Sequence, residues 1–413
     1  SQAENASSIL VIRSVATEGD RAPRLLTYYL AQGLCMGSLA SVITLLGDLR
    51  DEFGLSETQV GLIVGAGFLT AFVTQLTLAR IADRGHAPLM VRIGLMAAAA
   101  SMIGFAASTG FWTMLASRGA LGVAIGVAQP AIRRNVILAD PAHTGRNLGR
   151  LGVIEVVGFA ATPAVTALLA DAFNLDVPFY VLAAVATATV LTMGRLEPDE
   201  SARGTRTTSS LQLLRDRVVA GTLLLVTSQF VMIGAWEAVW AVSLVDLGAA
   251  TWEVGLSITL FAIPLGALAP VAGAWAQRTG GLWLCVGGMT GSAAAGVLLG
   301  VFDSVWALVG VSMLMAVGGG LGFTAGLYAY SQTVPDDRQA SSQGLMGAFE
   351  VLLAGLTSVL GAWLYDIAGR LLVWTVIPAL TVLAVAAGMV WRGVRTTDGD
   401  GPATWRSLPG RIR

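Results

Sequence analysis

The feature that most constrains this chain is a series of apolar runs, each about 20 residues long, interrupted only by short polar stretches. They fall at about 25–46, 58–78, 89–107, 111–133, 150–170 and 177–194. Six more follow at about 218–244, 253–272, 282–301, 304–330, 344–364 and 371–391. Hydrocarbon offers no hydrogen-bond partner to a backbone N–H or C=O, so such segments cross a bilayer as helices. The sequence predicts an all-α polytopic membrane protein with twelve transmembrane helices in two six-helix halves. The charged stretch at 195–217, which contains LEPDESARGTRTTSS, has the composition of a linker between them. Residues 1–24 read as a polar, disordered tail without the apolar core of a secretory signal, and 392–413 as a second polar tail. Only 12% of the 413 residues are charged, against about a quarter in a soluble protein, so the lipid bilayer is the first expected partner.

Arginine placement tests this topology. All 25 basic residues are arginine. With both tails and the even-to-odd loops placed in the cytoplasm, 22 of them lie inside, while Arg50 and Arg370 lie outside and Arg118 falls within span 4. Moving one boundary or dropping one span scrambles the asymmetry, so it supports an inner (plasma) membrane protein with both ends cytoplasmic.

The two halves repeat. RGALGVAIGVAQPAIRRNVILADP from Arg118 slides by 194 residues onto SMLMAVGGGLGFTAGLYAYSQTVP from Ser312, so that Gly126 meets Gly320 and Pro141 meets Pro335. ETQVGL at 57–62 echoes TWEVGL at 251–256, and ARIADRG at 79–85 echoes GAWAQRTGG at 273–281. Each half begins on the same side, so the repeats are parallel. Their axis lies along the membrane normal, which puts a substrate site between the halves near the midplane.

Of the 26 acids, three lie deep in apolar spans: Glu155, Glu237 and Glu350; Arg118 is the one deep base. An ionised group at the bilayer centre costs about 2.5–3.5 kcal/mol on insertion scales, so such residues pair, face water or carry protons. Three acids against one base leave carboxylates without an intramembrane partner, and desolvation favours their neutral form. These four are the candidates for proton coupling. Glu155 and Glu350 are expected a turn or two from the cytoplasmic ends of spans 5 and 11, and Glu237 and Arg118 in the outer halves of spans 7 and 4. Glu155 and Glu350 occupy matching repeat positions, so an architectural role is equally open to them, paired with loop arginines such as Arg146, Arg150 or Arg338. Glu237 breaks the repeat, since Ile43 stands 194 positions earlier. A tie from Arg118 to a backbone carbonyl is also open. Trp236 and Trp240 share a face beside Glu237. With Gln75, Gln129, Gln229 and Tyr328 they are candidate substrate contacts, suited to an amphipathic or cationic molecule; a plain core or interfacial role is the alternative for any single Trp.

Other chemistries are absent from the pattern. His86 and His143 stand alone in loops, so no metal site is expected, and no phosphate-binding loop of the Gly-Lys-Ser/Thr kind occurs. Cys35 and Cys285 read as buried thiols. No cofactor, no nucleic-acid partner and no enzymatic activity are expected.

Ala79, Ile81, Ala82, Asp83 and Arg84 after span 2 resemble the Gly-x-Leu-Ala-Asp-Arg-x-Gly-Arg motif of the major facilitator superfamily, with Ala79 in place of the first glycine. The second copy keeps Gly273, Ala276, Arg278 and Gly280, with Gln277 in place of the aspartate. The resemblance implies a cytoplasmic latch between the halves made by Asp83, Arg84, Gly273 and Arg278. Span 4 carries Arg118, Gly122, Gly126 and Pro130, which is similar to the Arg-x-x-x-Gly-x-x-x-Gly-x-x-x-Pro motif common in members that exchange solutes for protons. Span 5 partly resembles the antiporter motif through Gly158 and Pro163, with Thr162, Thr166 and Ala167 where glycines belong. By this resemblance the chain is similar to the twelve-helix drug/proton antiporters. The implied function is proton-coupled export of a small amphipathic or cationic compound, by alternating access, from a monomer. Proton-coupled import of a solute such as a sugar or organic acid, and a lipid or lysolipid carrier, remain open.

Overall fold

The computed structural model describes residues 2–81, 86–139, 144–193, 210–334 and 339–393, with side chains in the first helix described from Leu25 onward. Among the described residues it is helical without strands. The elements are α1 (Gln2–Phe53), α2 (Glu57–Ile81), α3 (Ala87–Ala106), α4 (Phe111–Ala139), α5 (Thr144–Ala172) and α6 (Val177–Thr192). A 3-10 helix (Ser210–Arg215) precedes α7 (Arg217–Thr227), α8 (Gln229–Asp246), α9 (Thr251–Thr279), α10 (Leu282–Leu298), α11 (Val305–Ser331) and α12 (Gln339–Arg392).

Among the described residues these elements form apolar helical stretches in keeping with twelve spans. Nine helical stretches are long and apolar enough to span a bilayer. One of them, Ser342–Arg392, is two helices that meet at Gly369, whose φ of 70° and ψ of −168° no helix contains. Another, Arg217–Asp246, is α7 and α8 run end to end through Ser228. The two shorter apolar helices, Val177–Thr192 and Leu282–Leu298, complete the set. Observed helices exceed the apolar runs: α1 carries on through the polar residues before Leu25, where the sequence reading expects a tail, and α5 starts at Thr144. The reason is that backbone hydrogen bonding continues past the point where side chains turn polar. Asp83, Arg84, Pro141, His143, Pro335, Arg338 and most of the linker lie outside the described residues.

The pairing of helices is the same in both halves. α2 and α3 pack on α4 as α9 and α10 pack on α11; α1 packs on α5 as α8 packs on α12. Small residues set these approaches. A Cβ on Gly122 would lie 2.0 Å from the Gly67 carbonyl oxygen of α2, one on Gly126 2.9 Å from that of Ala71, and one on Gly158 2.5 Å from that of Gly33 in α1. In the second half, Gly288 of α10 meets Gly322 of α11 in the same way. Pro130 and Pro163 lie inside α4 and α5, a placement that membrane-spanning helices tolerate.

The halves meet along two antiparallel seams. In one, α2 runs past the first part of α12, through Thr58–Asp366, Gly61–Ala362, Gly65–Val359, Leu69–Gly355 and Gln75–Gly347. In the other, α5 meets α9, with Pro163 against Gly255, Ala160 bonded to Thr259, and Val156 against Gly266. The end of the bundle holding the linker is called here the linker end; the opposite one, where α1 turns into α2 and α8 into α9, is the hairpin end.

Candidate functional site

The site is built from α4 outward. Ser101 Oγ of α3 donates to the Ser117 carbonyl (2.6 Å), and Thr70 Oγ1 of α2 donates to the Gly119 carbonyl (2.8 Å). These two bonds clamp α4 on either side of Arg118. Gly67 provides the space its side chain crosses, because a Cβ there would lie 2.7 Å from Arg118 Nε. The guanidinium then reaches the other half, where Arg118 Nη2 stands 4.0 Å from Glu237 Oε2 on α8. That is an ion pair without a hydrogen bond. Nε, Nη1 and Nη2 of Arg118 and Oε2 of Glu237 have no hydrogen-bond partner among the described residues. The two side chains are 1% and 5% exposed, so the contact is dry.

Glu237 is held by what packs around α8. A Cβ at Gly234, one turn earlier, would lie 2.1 Å from the Ala354 carbonyl oxygen of α12, and Thr357 Oγ1 lies within 3.3 Å of the Phe230 carbonyl oxygen. Trp236 stacks on Phe261 of α9 at 4.3 Å and on Trp240 at 5.3 Å, and Trp240 Nε1 donates to Ser257 Oγ at 2.8 Å. Both indoles are buried. In this conformation they brace α8 against α9, the core role that the sequence leaves open for them beside substrate contact. Gln229 is likewise buried, its amide lying over Gly319 of α11. Tyr328 packs against the cluster of Leu225, Cys285 and Met289.

Toward the linker end a second charge cluster crosses the halves. Glu155 of α5 accepts from Gln32 Nε2 of α1 at 2.9 Å and lies 3.4 Å from Arg133 Nη2 of α4. Glu350 of α12, in the other half, lies within electrostatic range of Arg133 and Glu155. Glu155 and Glu350 lie five and eight residues into the apolar stretches Arg150–Ala172 and Ser342–Arg392, about one and a half and two turns of helix. Among the described residues Glu155 pairs with Arg133, and Arg150 is exposed; the side chains of Arg146 and Arg338 lie outside the description. Arg133 and Glu155 are 50% and 27% exposed, so the interface is accessible here while it is dry at Arg118. Gln129, one turn before Arg133, has its Nε2 4.0 Å from Met36 Sδ, and Gln75 lies beside Gly347, one turn before Glu350.

The hairpin end is closed by contacts between the halves. Arg50, nearly buried, pairs with Asp246 at 2.6 Å, and Tyr365 Oη donates to the same carboxylate at 2.7 Å. Thr251 Oγ1 donates to Asp48 at 3.1 Å and Thr58 Oγ1 to Asp366 at 2.5 Å. Gly47 is pressed against Ala241 and Val245. Of the expected latch, Arg278 is exposed in the last turn of α9 and Gly273 is uncrowded, the nearest atom to a Cβ there being Thr324 Cγ2 at 3.9 Å; Asp83 and Arg84 are outside the described residues. Sequence reasoning missed Arg133, Gln32 and the Arg50–Asp246 pair. Arg133 follows Arg118 by fifteen residues on one helix, and Gln32 is a polar residue inside an apolar run; both signals were available.

Comparison with known proteins agrees with this architecture. The chain matches the family model described as Major Facilitator Superfamily over residues 28–245 and again over 225–412. It is 26% identical over 168 residues to an uncharacterized MFS-type transporter of Mycobacterium tuberculosis, covering 37% of this chain and 40% of that protein. It is 26% identical over 140 residues to the quinolone resistance protein NorA of Staphylococcus aureus, covering 34% and 36%. The matched segments thus span well under half the length of either relative. Among solved structures, it resembles an inward-facing, unoccupied bacterial homologue of the human lysosomal transporter Spinster. The TM-score is 0.73 at 13% identity, covering 90% of this chain and 96% of the other. The nucleoside transporter NupG gives a TM-score of 0.70 at 14% identity, covering 89% and 98%. With two matching halves, both covered by the family model, the chain belongs to the Major Facilitator Superfamily, a family of membrane transporters.

Proposed function

We propose that this transporter works by alternating access and exports a small amphipathic or cationic compound in exchange for protons. The observation that carries the reading is the dry Arg118–Glu237 pair between the halves. While Glu237 is charged, the pair favours close approach of α4 and α8, and with it a closed hairpin end. Protonation of Glu237 cancels one charge and leaves Arg118 alone in an apolar contact, which loosens that approach. A proton is therefore gained or lost at Glu237 in step with movement of the halves. That linkage is what coupling requires.

Export is favoured by the span 4 residues Arg118, Gly122, Gly126 and Pro130, and by the likeness to a protein named for quinolone resistance. The arginine asymmetry supports a cell inner membrane location with the linker end in the cytoplasm, and the protein is taken to act as a monomer. Liposomes with an imposed pH gradient and a panel of hydrophobic amines and drugs test the reading. Substrate-evoked proton movement should occur in the native protein and be lost in Glu237→Gln. Movement that survives both Glu237→Gln and Glu155→Gln would remove these acids from coupling. Accumulation of substrate with the gradient reversed separates export from import.

A further inference from the structure

Gln32 and Glu155 are joined inside one half of the molecule. Gln32 Nε2 of α1 donates to Glu155 Oε1 of α5 at 2.9 Å, and Arg133 Nη2 of α4 reaches the same oxygen at 3.4 Å. These two donors differ in their surroundings. The Arg133 side chain is 50% exposed, so water can replace the carboxylate as its partner. Gln32 is fully buried, and its Oε1 has no hydrogen-bond partner among the described residues. The backbones leave Gln32 no room to withdraw. A Cβ on Gly158 of α5 would lie 2.5 Å from the Gly33 carbonyl oxygen of α1, and Thr166 Oγ1 donates to Ser41 Oγ at 3.0 Å further along. A buried amide held against a partly exposed carboxyl must serve that carboxyl in whichever protonation state it takes.

A carboxylate only accepts hydrogen bonds, and an amide N–H suits it. A neutral carboxyl carries an O–H donor, which needs an acceptor instead. A glutamine amide holds both kinds of group, exchanged by a half-turn about its last side-chain bond. For Gln32 that half-turn breaks only the bond to Glu155, and in either orientation one end of the amide is bonded and the other is not. We propose that Gln32 is the positioning residue for proton uptake at Glu155: Nε2 donates to the carboxylate and, after a half-turn of the amide, Oε1 accepts from the neutral carboxyl. The proton comes from water at Glu155, which is 27% exposed, and Arg133 turns to the same water. The proposal rests on the transporter reading above, in which Glu155 is one of the acids open to protons. Other charged groups around Glu155 are Glu350 of α12, within electrostatic range, Arg134 beside Arg133, and the exposed Arg150. Arg146, whose side chain is outside the described residues, lies about 13 Å nearer the linker end by helical rise. Tyr29 of α1 donates to the Asn147 carbonyl, and neither α6 nor residues 259–273 of α9 carry a charge. Because α1 and α5 belong to the same half, the switch moves with that half and is separate from the Arg118–Glu237 pair between the halves.

The test is infrared difference spectroscopy between alkaline and acid pH, on the full chain in lipid nanodiscs without substrate. The native spectrum should gain a carboxyl C=O band in acid that is lost in Glu155→Gln. It should also show a shifted side-chain amide C=O band that is lost in Gln32→Leu and in Glu155→Gln alike. In Gln32→Leu the carboxyl band should move to higher frequency, because its O–H has lost an acceptor. A role in packing alone would put no Gln32 band in the difference spectrum. Absence of a Glu155 band in acid, absence of an amide band that depends on both residues, or a carboxyl band unmoved in Gln32→Leu would each overturn the proposal. Should Gln32→Leu fail to fold, judged by thermal melting, the native and Glu155→Gln spectra decide through the amide band: if that band survives in Glu155→Gln or is missing from the native chain, the switch is refuted. Proton flux in liposomes fails independently. The amide switch without substrate-evoked proton movement keeps the role of Gln32 and removes coupled export, and proton movement without the amide band does the reverse.

Discussion

Glu237→Gln is the most informative single change. It keeps the shape of the side chain and removes one charge from the pair with Arg118 at 4.0 Å. No other described group bonds the guanidinium, so the arginine is left as an uncompensated charge in a contact where both side chains are nearly solvent-free. Removing one partner of such a pair costs about 3–5 kcal/mol. The penalty applies only while the hairpin end is closed, since opening hydrates the arginine. At about 1.4 kcal/mol per factor of ten, the equilibrium should move toward opening by about two to three and a half powers of ten. Spin labels on cysteines replacing Glu52 and Trp252, exposed residues on opposite halves at that end, read this directly by pulsed distance measurement. The native Cys35 and Cys285 are buried and free. Glu237→Gln should lengthen the distance, and Arg118→Gln with Glu237→Gln should restore it, because no charge is then buried. Acidification should lengthen the distance in the native protein and have no further effect in Glu237→Gln. A single mutant with the native distance, or a double mutant more open than the single, would refute the electrostatic argument.

Three further outcomes follow from the packing and the hairpin-end contacts. Gly122→Ala places a methyl 2.0 Å from the Gly67 carbonyl oxygen, so thermal melting in detergent should show a loss of about 1–3 kcal/mol, whereas Gly273→Ala, with its nearest neighbour at 3.9 Å, should melt like the native chain. Arg50→Gln removes the cation that pairs with Asp246, and the same label pair should report partial opening at the hairpin end without loss of the folded state. Trp240→Phe gives up the 2.8 Å bond to Ser257 and should cost about 1 kcal/mol in stability while the apparent substrate affinity stays as it was; a large change in affinity would put Trp240 in the binding site.

The sequence by itself determined the class of fold. Apolar runs long enough to cross a bilayer force helices, and an internal repeat with arginines on one side orients two halves, so the twelve crossings are local properties of the chain. The importance of Arg118 and Glu237 was also legible, because a charge in hydrocarbon is costly wherever the chain goes. Which charges meet was not legible. Arg118 reaches Glu237, more than a hundred residues away, only because Gly67 leaves it a path and Ser101 and Thr70 fix α4. Arg133 looked like a loop residue until the length of α4 carried it to Glu155 of α5. Trp236 and Trp240 share one face beside Glu237 in the sequence, but α9 covers that face. Periodicity gives the side of a helix on which a group lies, while its partner depends on the closest approach of two helices. Carbonyls and small side chains scattered along both of them set that distance.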